Sequence, residues 1–393
     1  MKISNIEIFQ LGSPAGGSAT WASNSILLKL TTSDGLQGYG EAVPTLRVQP
    51  VIQSLKEVAR VYKGKDPFNT EANMHEWMKH DFYLHTSFES TTALSAFDIA
   101  CWDIIGKHFS APIHKLLGGK MRDRVRVYLN GWYGDCVSAK QFADAARKWA
   151  DAGYSALKFD PFGAAYEDIS EKQLEDAYKR VKAVKDATDD RVELLIEHHG
   201  RFNYDAALKA ARKLESLSPL FMEEPVHPED IEGLKKYRKE VKLKVALGER
   251  IIDVKQVLFM LKENLVDYLQ VDITNIGGIT QALKACRLAE AFGIKMAFHN
   301  AFGPIQNAAT IQLDASIPNF LIQESFFDCF PSWKRALVKS SPHILSGFSL
   351  IPDKPGIGVE VDEKVIEKHR AEGQEFFDEQ EPVWVVKGTW KDA

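Results

Sequence analysis

Residues 194–201 read Leu-Leu-Ile-Glu-His-His-Gly-Arg, an apolar run that stops on a carboxylate and two imidazoles. Such a run suits a strand buried on both faces, and the polar residues at its end are equipped for chemistry rather than packing. Two further segments repeat the pattern, residues 220–223 ending on Glu223 and residues 245–249 ending on Glu249. Glu197, Glu223 and Glu249 stand 26 residues apart in both steps, the length of a strand, a helix and two loops. Successive βα units therefore present successive carboxylates at one rim. Three hard oxygen ligands with no cysteine among them suit Mg2+ better than Zn2+.

The same punctuation runs further along the chain. Eight segments read as strands: 125–129, 156–160, 192–197, 220–223, 245–249, 268–272, 294–299 and 320–324. From the second to the eighth they terminate at Lys158 and Asp160, Glu197 and His199, Glu223, Glu249, Asp272, His299, and Glu324. A polar residue at a strand end is ordinarily a surface cap, but seven consecutive strands ending on ionisable groups at near-constant spacing point to a shared site. Side chains alternate along a strand, so Glu197 and His199 are expected on one side and His198 on the other. By the same rule Lys158 and Asp160 point inward together, and Glu223 rather than its neighbour Glu224 is the ligand.

Those strands need a scaffold that aims them at one point. Eight repeats alternating with amphipathic helices such as 282–292 predict a TIM-type barrel over residues 123–340, with reacting groups at the C-terminal strand ends. Its last helix is short, because Pro331-Ser-Trp-Lys-Arg leaves room for only a turn or two, so the expected form is (β/α)7β. Ahead of it, residues 1–122 read as an α+β capping domain, with strands at 2–10, 25–31 and 36–40 and helices near 50–63, 68–82 and 90–109. Leu94, Phe97, Cys101 and Ile105 share one helix face, which makes Cys101 a core residue. The Gly-rich stretch 13–24 is a loop, whose Trp21 either anchors local packing or contacts a ligand. Residues 341–393 form a tail with a charged helix at 361–372, expected to pack back on the capping domain.

Bulk properties narrow the class. In 393 residues, 26 % are charged and 45 % apolar, the composition of an ordinary globular protein. A net charge of −5 gives no reason to expect a nucleic-acid partner. Four scattered cysteines form no C-x-x-C pair, and no run of about 18 apolar residues occurs. No disulfide framework and no membrane span are expected, and a cytoplasmic location is.

The motifs resemble the enolase superfamily in its mandelate-racemase-like branch. More closely, the chain is similar to archaeal-type gluconate dehydratases, a group that also acts on galactonate. The similarity rests on Gly17-Ser-Ala-Thr-Trp-Ala-Ser, Gly38-Tyr-Gly-Glu-Ala-Val-Pro-Thr-Leu-Arg, Ala156-Leu-Lys-Phe-Asp-Pro-Phe-Gly, Ile196-Glu-His-His-Gly-Arg, Met222-Glu-Glu-Pro-Val-His and Ala297-Phe-His-Asn-Ala-Phe-Gly. It implies Mg2+ on Glu197, Glu223 and Glu249, an Asp272/His299 dyad, and Glu324 as partner of the substrate carboxylate. Racemases of the branch carry a second lysine where this chain has Asp160, so one substrate face lacks a strong base and 1,1-proton transfer is not expected.

The implied reaction is dehydration of a sugar acid, D-gluconate and also D-galactonate, to the 2-keto-3-deoxy acid through a metal-stabilised enediolate, a type of chemistry characteristic of the superfamily. His299 would take the C2 proton, His199 would protonate the departing C3 hydroxyl, and Lys158 and Glu324 would contact the substrate carboxylate. Asp160, Trp21 and Tyr83 are further candidates for substrate contact, with His85 beside Tyr83. The alternatives are a dehydratase for another aldonate or aldarate, an acid-sugar epimerase, or a sugar-acid-binding barrel with a decayed site. A homo-oligomer is expected, an octamer being one form.

Overall fold

The computed structural model describes residues 1–12, 24–44, 47–80, 86–134, 136–339 and 344–373. Trp21, Tyr83 and His85 therefore lie outside the described residues.

Three antiparallel strands open the chain, β1 (Ile3–Leu11), β2 (Ser25–Thr32) and β3 (Gln37–Ala42), in that spatial order. Alternation along β2 serves two cores. Ile26, Leu28 and Leu30 pack with the helices Val48–Tyr62 and Phe88–His108, whereas Leu27 joins the main core shared with the rest of the molecule. The helix Phe88–His108 starts from a reciprocal Ser87/Ser90 capping box and is buried almost all round. It is sandwiched between this sheet and the next layer. Asp98 there accepts from the backbone N–H of Thr280 at 3.0 Å and from its hydroxyl at 2.5 Å, and the Trp102 indole N–H donates to the same hydroxyl at 2.9 Å.

Eight parallel strands come next: β4 (Arg124–Leu129), β5 (Ala156–Phe159), β6 (Glu193–Glu197), β7 (Phe221–Glu223), β8 (Val245–Leu247), β9 (Tyr268–Leu269), β10 (Lys295–Met296) and β11 (Gln323–Ser325). Each pairs with its predecessor up to β10, β11 pairs with β4, and a bridge from Met296 to Phe320 closes the ring. The fold is thus the expected closed barrel with a short final helix, Ser332–Arg335.

Several strands are shorter than the sequence predicts. β8 stops at Leu247 because Gly248 has φ +149°, and a Cβ there would lie 2.7 Å from the backbone of Gln270 and Val271. β9 stops before Asp272 because that residue already forms a turn, its carboxylate accepting from the N–H of Thr274 at 2.6 Å. Beyond Met296 a single bond from Ala297 N–H to Leu269 O is all that continues β10.

The tail adds a hairpin, β12 (Ile344–Leu345) and β13 (Phe348–Leu350), with β13 antiparallel to the first half of β4. It then returns to the N-terminal sheet, where Glu363 meets Lys29 at 2.6 Å. Its helix covers only Glu363–Lys368, not 361–372, because residues 369–371 pair with β1 and its flank instead: Gly12 N–H donates to His369 O and Ala371 N–H to Gln10 O. Among the described residues no helix is long and apolar enough to cross a membrane.

Candidate active site

Inside the barrel an apolar floor is built from Tyr128, Ala156, Leu195, Phe221, Ala246, Ala297 and Ile322, with Tyr268 against it, one residue from each strand or from the residue adjoining it. Since side chains repeat with period two, the residues two positions on face the same interior one layer nearer the C-terminal mouth. They are Asn130, Lys158, Glu197, Glu223, Gly248, Gln270, His299 and Glu324. The change from apolar to polar in one step marks the floor of the site.

In that layer Lys158 is nearly sealed from solvent and lies 2.7 Å from Glu223, 2.9 Å from Glu324 and 3.1 Å from Glu197. Carboxylate oxygens of Glu197, Glu223 and Glu249 fall within 4.8 Å of one another. One ammonium among four carboxylates leaves a buried excess of negative charge. Burial first, then the repulsion of Glu197, pushes the Glu223 carboxyl well above its usual range despite Lys158. Burial acts on Glu197 in the same sense, but His199 and Lys158 outweigh it and hold that carboxyl low. Three carboxylates placed this close form a donor set that would fit a divalent ion.

Glu324 is fixed from both sides, by the Asn130 amide at 2.9 Å and the Asn300 backbone N–H at 2.9 Å. Gln270 donates to Glu223 at 2.7 Å. Arg250 bridges Glu249 at 3.1 Å and Glu224 at 2.8 Å, which keeps Glu224 out of the trio.

Two aspartate–histidine pairs flank the carboxylates. The first is Asp272 and His299, with Nδ1 of the imidazole 2.6 Å from Oδ2. Asp272 also accepts from the Thr274 hydroxyl at 2.6 Å and from the Gln306 amide at 2.8 and 2.9 Å. Burial opposes charge on His299, but Glu324, Glu249 and the bond to Asp272 outweigh it and raise the imidazole to about 9. The second pair is Asp160 and His199, 2.8 Å apart through Nδ1. Both Asp160 oxygens already have donors: Arg201 at 2.5 and 3.0 Å, and the Phe162 N–H at 2.9 Å. The guanidinium is anchored on the carbonyls of Ala165, Gly163 and His198.

His199 does not arrive by strand alternation. β6 ends at Glu197, and His199 sits in the left-handed region at φ +52°, its N–H donating to Glu197 Oε1 at 2.7 Å. A turn therefore delivers it. His198 is buried against Phe162 with Nδ1 3.0 Å from Glu223 O, away from the open side. The histidines come after β6 and β10, four strands apart in a ring of eight, and so stand across the barrel from each other.

Sequence reasoning did not find Asn130, Arg201, Gln270, Asn300 or Gln306. The period-two register from the apolar floor would have reached Asn130 and Gln270. Arg201 closes the motif Ile196-Glu-His-His-Gly-Arg, but nothing in that stretch alone gives it a role.

Family comparison agrees with this geometry. Residues 16–118 match the mandelate racemase/muconate lactonizing enzyme N-terminal domain and residues 141–365 the enolase C-terminal domain-like family. The chain belongs to the enolase superfamily, in its mandelate racemase/muconate lactonizing enzyme group. It is 50 % identical to the D-gluconate dehydratase of Thermoproteus tenax over 95 % of this chain and 75 % of that protein. It is 45 % identical to the D-gluconate/D-galactonate dehydratase of Picrophilus torridus over 99 % of both. Among solved structures, a mandelate racemase/muconate lactonizing enzyme from Jannaschia sp. CCS1 superposes with a TM-score of 0.88 at 29 % identity, covering 95 % of this chain and 99 % of that one.

Proposed function

We propose that this protein is a sugar-acid dehydratase, a hydro-lyase that converts D-gluconate, and D-galactonate as a second substrate, to the 2-keto-3-deoxy acid. The observation that carries the reading is the Asp160/His199 pair, in which Asp160 occupies the position where, by the family resemblance, racemases carry a second lysine base. Relatives with these substrates in their names, at 45 and 50 % identity, support it.

Glu197, Glu223 and Glu249 would hold the divalent ion, taken to be Mg2+, which when bound stabilises negative charge on the substrate carboxylate. Lys158 adds the one buried ammonium of that layer, and Glu324, fixed by Asn130 and Asn300, orients the carboxylate. Asp272 holds Nδ1 of His299, and Nε2 would accept the C2 proton once the carboxylate charge that favours the protonated imidazole is offset by the ion. Asp160 holds Nδ1 of His199, leaving Nε2 to donate a proton to the C3 hydroxyl as the C–O bond breaks. Hydroxide is a poor leaving group, so this second proton matters. Water departs, and the enol tautomerises to the 2-keto-3-deoxy product.

Four free cysteines fit a reducing cytoplasm, and assembly into a homo-oligomer belongs to the same proposal. The test is incubation with D-gluconate and Mg2+, assaying 2-keto-3-deoxygluconate. Solvent deuterium at C2 of recovered substrate with no water lost would identify an epimerase and overturn the reading.

A further inference from the structure

The N-terminal sheet and the Asp272/His299 pair are joined through one helix start. Glu41, at the end of β3, is fully buried. Its Oε1 accepts from the Ser25 hydroxyl at 2.9 Å. Its Oε2 accepts from the backbone N–H groups of Ile305 at 3.1 Å and Gln306 at 3.0 Å, in the first turn of the helix Pro304–Ser316. A helix start carries N–H groups with no partner of their own, and here the N-cap residue, Gly303, has no side chain to supply one. Gly303 is required by its visitor, since a Cβ there would lie 1.9 Å from Glu41 Oε1. A carboxylate from 265 positions earlier thus caps a barrel helix.

Gln306, the third residue of that helix, carries the contact onward. Its carbonyl oxygen accepts from Phe302 N–H at 2.7 Å, which fixes the amide so that its nitrogen donates to both oxygens of Asp272. Asp272 in turn holds His299.

We propose that Gln306 and Glu41 are positioning residues for His299, so that docking of the N-terminal sheet aims the proton acceptor. This rests on His299 being that acceptor. Gln306 sets the rotation of the Asp272 carboxylate, which sets the plane of the imidazole, and Glu41 sets the first turn that carries Gln306. A reacting atom displaced by about 1 Å costs about 100-fold in rate, so the effect belongs on kcat.

The test is a double-mutant cycle on purified, Mg2+-loaded enzyme turning over D-gluconate. Gln306→Leu is expected to lower kcat about 10- to 100-fold, with KM within about twofold, and to cost less than about twofold in an Asp272→Asn background. General damage to the fold would cost the same factor in both backgrounds, and that result overturns the proposal, as does a Gln306→Leu kcat within twofold of wild type. Glu41→Ala is expected to lower kcat about fivefold, and Glu41→Gln to recover it, because an amide oxygen can still accept from both N–H groups. A Glu41→Ala enzyme with unchanged kcat removes the N-terminal sheet from the proposal. His299→Asn separates the two levels. If it turns over normally, the base assignment falls; if it is inactive while Gln306→Leu is unaltered, only the positioning role falls.

Discussion

The two aspartate–histidine pairs are built from the same parts and held in opposite ways. His299 is almost wholly buried, and its aspartate is held by Thr274 beside it and by the Gln306 amide, whose helix is capped from the N-terminal sheet. His199 is 34 % exposed at its side chain, and its aspartate is held by Arg201, which follows the histidine by two residues. A residue that takes a proton from carbon needs exact placement and a dry setting. A residue that delivers a proton to an oxygen can tolerate contact with water and is reset by it. The difference in support fits the two tasks proposed for them.

The contrast can be broken most severely at the imidazoles. His299→Asn is expected to lower kcat about 10^3-fold or more and to stop deuterium entry at C2; His199→Asn is expected to lower water loss by about 10^2-fold while C2 exchange continues, both read by NMR in D2O. If both variants lose exchange equally, the division of labour is wrong.

Next comes the support of the exposed pair. Arg201→Met leaves Asp160 buried without its cation, and urea unfolding is expected to show a loss of about 3–5 kcal/mol, with kcat falling alongside. A stability change under about 1 kcal/mol would mean that Arg201 is not the anchor.

The proposed ion would serve both pairs alike. Chelation is expected to remove turnover, and Mg2+ at about 100 times its Kd should stabilise the fold by about 2.7 kcal/mol, measured by thermal shift. Equal melting with and without Mg2+ would count against the carboxylate trio.

A last effect concerns the seam between the N-terminal region and the barrel, read through pH rather than through a change at the site. Burial raises the Asp98 carboxyl from 3.8 to about 7, outweighing its bonds to Thr280. With the folded value above the unfolded one, its contribution to stability is complete below about pH 4 and is lost as pH rises through 7. Between about pH 4 and 7 stability is expected to fall by at most about 1.4 kcal/mol per pH unit from this group and then to level off, and Asp98→Asn should flatten that slope in calorimetry.

The barrel and the carboxylate trio were legible in the sequence because a repeat of constant length fixes both at once: 26 residues return the chain to the same rim. The partners of those residues were not. Gln306 reaches Asp272 across 34 positions and Glu41 reaches Gln306 across 265, distances over which no local pattern speaks. His199 was expected to share the side of Glu197 by strand alternation, whereas a left-handed turn past the end of β6 is what places it. Trp21 and Tyr83 fall outside the described residues, so their proposed contacts with the sugar stand as expectations.

The left-handed backbone at His199 limits what else could occupy that position. Histidine, asparagine and aspartate tolerate φ near +52°, whereas branched side chains there incur strain of about 1–3 kcal/mol before any chemistry is considered. A library randomised at 199 should therefore return a narrow set of folded variants. At 299, whose backbone is not in that region, burial rather than backbone conformation sets the limit, so the two positions would admit different sets of replacements even under identical selection.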